Sequence, residues 1–156
     1  MKTHITAAIF TLFTFSGMAQ NDDLIEDIYR RYEGEKFSVA LNLDASIFQD
    51  FDIDIDTEEL QQRISGTVRR LRFIGFEDYR PGLRNETQII KDLLKQGYEI
   101  VEMPKEWDEE DSQMLILKLK GKTYSPHLIV IINDRNERDA MVIILSGSIN
   151  FNTKAS

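Results

Sequence analysis

Two short runs constrain this chain more than any other feature: Leu128-Ile129-Val130-Ile131-Ile132 and Met141-Val142-Ile143-Ile144-Leu145. Each is apolar at every position and rich in β-branched residues, so neither suits a surface with one face in water. Both read as strands in the middle of a sheet. The connector Asn133-Asp134-Arg135-Asn136-Glu137-Arg138-Asp139 is dense in turn formers, which predicts an antiparallel hairpin.

The rest of the C-terminal half continues the pattern. Tyr98–Met103, Met114–Leu119, Leu128–Ile132 and Ala140–Leu145 are four strand segments separated by polar loops. The N-terminal half mixes periods. Leu24, Ile25, Ile28, Tyr29 and Tyr32 lie at helical spacing behind Asp22 and Asp23, predicting a helix over about 22–33 ended by Gly34. Phe37, Val39, Leu41 and Leu43 alternate with Ser38, Ala40 and Asn42, which predicts a strand with one buried face. The stretch 45–51 fits a single helical turn. Asp56-Thr57-Glu58-Glu59 has the capping-box form, and with Leu60 and Ile64 behind it predicts a second helix, stopped by Gly66. Val68–Phe76, interrupted by Arg69, Arg70 and Arg72, predicts a strand with one wet face. Asn85 with Gln88 caps a third helix, whose stripe is Ile89, Ile90, Leu93 and Leu94 and whose stop is Gly97. The expected fold is therefore α+β: about three helices packed on one face of a mainly antiparallel sheet, ending in a C-terminal strand meander. No internal repeat or long linker divides the chain, and residues 20–156 read as a single domain.

Residues 1–19 stand apart from that fold. Lys2, the apolar run Ile5–Phe15 and Gly17-Met18-Ala19 are the three parts of a secretory signal peptide cleaved after Ala19. The run falls short of the roughly 20 residues needed to cross a bilayer. Cleavage removes one lysine and no acid, taking the formal net charge from −8 to −9. Such a charge repels nucleic acid and anionic membrane. The chain has no cysteine and two histidines, His4 and His127, which excludes disulfides, thiolate metal sites and cysteine nucleophiles. An exported, periplasmic or extracellular domain without a cofactor is expected.

Candidate chemistry is sparse. Gly121-Lys122-Thr123 resembles the tail of a phosphate-binding loop, but Ile116 occupies the place of its first glycine, and a hairpin turn explains it. Asp50, Asp52, Asp54 and Asp56 resemble the start of a calcium loop, yet Ile55 and Gln61 stand where glycine and glutamate are required. An extended segment with acids outward and Phe51, Ile53 and Ile55 inward accounts for them. Glu106–Asp111 is a second acidic run, around Trp107. Carboxylate pairs from 50–59 or 106–111 define a rival expectation, a periplasmic hydrolase. His127, two residues after Ser125, reads as structural, although a serine–histidine–acid set is compatible with composition. Arg69, Arg70 and Arg72 are the candidate ligand- or partner-binding residues. Alternate arginines on a strand suit an anionic ligand or an acidic patch, and equally pair with the chain's own acids. Arg80 and Arg84 extend the same basic stretch.

Taken in order, the helix with Tyr29 and Tyr32, the strand Ser38-Val39-Ala40-Leu41, the acidic helix Asp56–Ile64 and the closing strand Met141–Phe151, with its Ser146-Gly147-Ser148-Ile149, show a resemblance. The chain is similar to the domain-of-unknown-function family 4252 of exported Bacteroidetes-type proteins. The resemblance implies no catalytic residues. Many members of that family are lipoproteins; without a cysteine near Ala19, a soluble periplasmic form is implied here. Genes of such proteins often lie near those of extracytoplasmic sigma and anti-sigma factors, so the resemblance implies envelope sensing with a cell-envelope protein as partner. Binding, rather than catalysis, is the expected function.

Overall fold

The computed structural model describes residues 22–33, 38–44, 50–56, 61–76, 85–101, 112–134 and 139–153. Helix α1 spans residues 22–32 and is followed by β1 (Ser38–Asp44), β2 (Phe51–Asp56), β3 (Gln61–Phe76), α2 (Asn85–Lys95), β4 (Tyr98–Val101), β5 (Ser112–Leu119), β6 (Tyr124–Asp134) and β7 (Asp139–Thr153). Every strand pairing is antiparallel. The order across the sheet is β1-β3-β7-β6-β5-β4, with β2 also on β3.

The two all-apolar runs lie in β6 and β7, side by side in the middle of this sheet, with the helix face buried and the opposite face half-buried. Adjacent residues of these strands supply different cores. Ile129, Ile131, Val142 and Ile144 join Ile25, Ile28, Tyr29 and Tyr32 of α1 and Ile89 and Leu93 of α2 on one face. Leu128 joins Ile55, Ile64, Val101, Ile116, Ile149 and Phe151 in a second cluster, to which Val130 and Leu145 add. Tyr32 meets the Phe76 ring edge-on at 5.0 Å, fixing the end of α1 over the sheet. The Arg31 Nη1 to Asp92 Oδ2 contact of 3.1 Å joins the two helices.

The expected α+β fold with three helices is overturned. Strands take about 70% of the described residues, and two helices pack on a seven-stranded sheet. The error lies at 56–64. Ile64, expected on a helix, lies in β3, a single 16-residue strand that absorbs both Ile64 and the predicted strand 68–76. Phe51–Asp56 pairs with Gln61–Gly66 as a hairpin, so the period-two alternation of that stretch outweighs the capping-box pattern. Residues 57–60, like 45–49 and Gly34, lie outside the described residues. Gly66 stops no helix: it sits within β3, where a Cβ would come 2.0 Å from the Ser148 carbonyl oxygen.

A second correction concerns β1. The strand forms, but its apolar side, Val39, Leu41 and Leu43, is the exposed one, and Ala40 packs toward the helices. Ile53 of β2, expected inward, is exposed as well, whereas Ile55 is buried.

Strands β3 and β7 hold the molecule together through 14 paired positions, from Gln62 with Thr153 to Phe76 with Ala140. Their backbones approach so closely that a Cβ on Gly147 would lie 2.0 Å from the Thr67 carbonyl oxygen, the mirror of the contact at Gly66. Neither oxygen is the movable end of a side chain. Gly147→Ala is therefore expected to destabilise the protein by at least about 2 kcal/mol, read as a lowered denaturation midpoint with an unchanged slope in urea.

Candidate functional site

The close approach at Gly66 and Gly147 coincides with irregularities in both neighbouring ladders. On β3 the register shifts between Val68 and Arg70, and on β6 between Ser125 and His127. A bulge re-aims the side chains beside it. Here the consequence is a pocket of about 520 Å³ at the N-terminal end of α1, bordered by β3, β6 and β7. β3 lines it with Arg69, Arg70 and Arg72, α1 with Asp22, Asp23 and Glu26, and the sheet beneath with His127 and Ser146. Asp44, opposite Arg70 in the ladder, completes the rim.

All three predicted arginines thus share one site, but in different states. Arg72 is 4% exposed and points to the helix side with Ile74 and Phe76. Its Nη2 donates to Glu26 Oε2 at 2.5 Å, and its guanidinium carbon lies 5.8 Å from the centre of the Tyr29 ring. Its Nε is buried without a hydrogen-bond partner. Glu26 also accepts from Arg30 Nε at 2.9 Å, and the two arginines hold its carboxyl below the usual range, against partial burial. Arg69 and Arg70 are exposed, and among the described residues neither side chain makes an ion pair or hydrogen bond. Pairing with the chain's own acids therefore holds for Arg72 alone. Arg80 and Arg84 lie outside the described residues.

Beneath the arginines runs a polar chain that sequence reasoning did not assemble. Ser146 Oγ lies 2.9 Å from His127 Nδ1, and Asp22 Oδ1 lies 2.8 Å from His127 Nε2. Burial, with Arg72 adding to it, depresses the His127 pKa despite the pull of Asp22, so the ring is neutral near pH 7. Nε2–H then donates to the Asp22 carboxylate, and Nδ1 accepts from the Ser146 hydroxyl. Ser125, the nearer serine in sequence, is instead turned to its own backbone and donates to the His127 carbonyl at 2.6 Å. Register supplies the correct partner, since His127 faces Ser146 across the β6–β7 ladder.

The other candidates separate from this site. Asp52 pairs with Arg63, whose Nε donates to Oδ1 at 2.8 Å, on the exposed edge formed by β2. Among the described residues no group of acids and histidine is arranged to hold a metal ion. Gly121, with φ of +65°, turns β5 into β6 as a hairpin. The run 106–111 lies outside the described residues.

Fold and site together define a class: an antiparallel-sheet domain with a mixed-charge pocket at a line of bulges, roofed by one helix end. No family model matches the sequence, no curated protein matches it, and no solved structure matches the fold.

The buried imidazole sets a pH dependence. Its pKa is lower folded than the ordinary 6.5, so the unfolded chain binds the proton first as pH falls. The contribution of the neutral ring is complete above pH 6.5 and is lost as pH falls toward the folded value. Thermal midpoints should therefore decline as pH falls below about 6.5. His127→Gln should flatten that segment while leaving the acid limb below it; an unchanged slope would remove His127 as its source.

Proposed function

We propose that this protein is an exported binding domain, and that the pocket beside the N-terminal end of α1 receives an anionic group, a carboxylate or phosphate, carried by its ligand or partner. The observation that carries the reading is the state of Arg69 and Arg70. Two guanidinium forks border a formed pocket without partners among the described residues, while two of the four acids lining it, Asp22 and Glu26, are already engaged. Guanidinium groups match carboxylate and phosphate oxygens in bidentate fashion. Buried Arg72 adds positive potential from below without being available to rearrange, because Glu26 and the sheet hold it. Export rests on the leader-like residues 1–19, and envelope sensing on the resemblance to family 4252.

Titration with pyrophosphate and with a dicarboxylate, followed by amide NMR, tests the site. The signals of Ser146 and Gly147 should shift, and Arg69→Ala with Arg70→Ala should weaken binding about tenfold or more. Raising salt should weaken it further. Shifts that persist in the double variant would place the anion elsewhere.

A second reading is favoured by one observation, the Ser146–His127–Asp22 chain, whose two short contacts are those of an acyl-transfer relay. The attachment is reversed from that of the familiar serine hydrolases, with the acid on Nε2 and the serine on Nδ1. If Ser146 is a nucleophile, a fluorophosphonate probe should add to it covalently, and Ser146→Ala should abolish the adduct. An unlabelled protein would leave the network as a structural tie between α1 and the sheet. The carboxylate hydrolase has less support, because Asp50, Asp52 and Asp54 are exposed on the β2 segment and none of them lines the pocket.

A further inference from the structure

We propose that β1 is the self-pairing edge of a homodimer, in which two copies join their sheets strand to strand across a two-fold axis at Leu41. An unpaired strand edge invites another strand, and monomeric proteins guard such edges with charge, proline, bulges or short length. The other outer segments here are guarded. β2 carries exposed Asp52 and Asp54 at alternate positions, and β4 is four residues long with Glu99 in it. β1 has no such device: residues 38–43 are Ser-Val-Ala-Leu-Asn-Leu, uncharged, without proline, and in unbroken register with β3. Among the described residues no strand covers its outer side.

Its exposed side chains fit a second copy of themselves. Val39, Leu41 and Leu43 are 46%, 49% and 46% exposed and project from one face, the face opposite the helices. Antiparallel pairing centred on residue 41 sets Val39 of each copy against Leu43 of the other, and Leu41 against Leu41. Three apolar cross-strand pairs result, each directly opposed. The single charge, Asp44, falls opposite position 38, so the two carboxylates stand at opposite ends, roughly 20 Å apart. A mainly apolar groove of about 390 Å³, lined by Val39, Phe73, Ile132 and Met141 with Asp134 and Asp139 at its border, continues the same surface inward, and Leu43 of the second copy stands next to its mouth. Leu41, Phe73 and Ile143 lie in one row across β1, β3 and β7, so the pairing extends a packed apolar layer rather than adding an isolated contact.

The absence of cysteine from the chain makes the register directly testable. Sedimentation equilibrium of the purified protein over a wide concentration range should show a monomer passing to a doubled mass. Leu41→Cys should then link into a disulfide dimer under mild oxidation, since directly opposed residues have Cα atoms about 4.5–5.5 Å apart. Leu43→Cys, about 14 Å from its own counterpart, should remain unlinked. Leu41→Lys, a change at an exposed position, should keep the circular dichroism spectrum and abolish the doubled mass by placing two like charges on the axis. A wild-type protein that stays monomeric throughout, even one that captures an apolar extended peptide on β1, overturns the proposal. Equal linkage at positions 41 and 43 overturns it as well.

Discussion

The close approach of β3 and β7 at Gly66 and Gly147 is the constraint on which the remainder of this structure depends. At that level β3 and β7 approach so closely that each glycine faces a carbonyl oxygen of the other strand, with space for a hydrogen but not for a methyl group. Regular pairing cannot pass through such a point unaltered. The β3 register shifts beside it between Val68 and Arg70, and the β6 register between Ser125 and His127. These shifts leave side chains of three adjacent strands converging beneath one helix end. Fold and pocket therefore share an origin: the feature that locks the two longest strands together also breaks their regularity.

What lies at that break is unusual for a core boundary. Arg72 and His127 are among the few buried polar side chains described, and both are tied to α1, through Glu26 and Asp22 respectively. Burying a guanidinium and an imidazole is costly, and one ion pair with a partly exposed Glu26 offsets only part of it. A hydrophobic pair of similar size in these positions would cost less. The ties orient α1, whose apolar stripe of Ile25, Ile28, Tyr29 and Tyr32 alone would define a face but tolerate rotation and sliding. Specific seating of the helix end gives the pocket a fixed acidic wall opposite the arginines.

Much of this architecture is legible in the order of residues alone. The paired apolar runs of β6 and β7 have to be central, because no half-wet strand tolerates them, and α1 and α2 carry apolar stripes at helical spacing with nothing to compete. The helix expected at 56–64 fails because Leu60 and Ile64 satisfy a helical period locally, while Phe51, Ile53 and Ile55 satisfy a strand period and Ile64 pairs with Ile53 across the hairpin. Pairing with the far end of β7, from Gln62 with Thr153 onward, decides between them, and it is non-local. Alternation in β1 reveals a strand but not which side faces the core, since both sides are partly apolar through Ala40 and Leu41. The arginines are visible as a group because one strand carries them. The Ser146–His127–Asp22 chain is not, because Asp22 and His127 are 105 residues apart and only the strand register brings Ser146 in.

The global charge and the proposed site pull in opposite directions, and distance decides between them. A formal net charge of −8 opposes the approach of any anion, but at physiological salt a charge is felt over only about 8 Å. Inside that range the neighbours of an entering group include the forks of Arg69 and Arg70 and buried Arg72, which solvent screens least, with Asp23 and Asp44 on the rim. Asp22 and Glu26 face the same space, yet their oxygens already accept hydrogen bonds from His127, Arg30 and Arg72. On the proposed reading the wider surface repels anions in general, while the guanidinium planes favour those that present two oxygens. On that reading, an acidic exterior around a mixed-charge pocket is a selectivity device. It weakens encounter with anions in general and leaves retention to directional hydrogen bonds at one place.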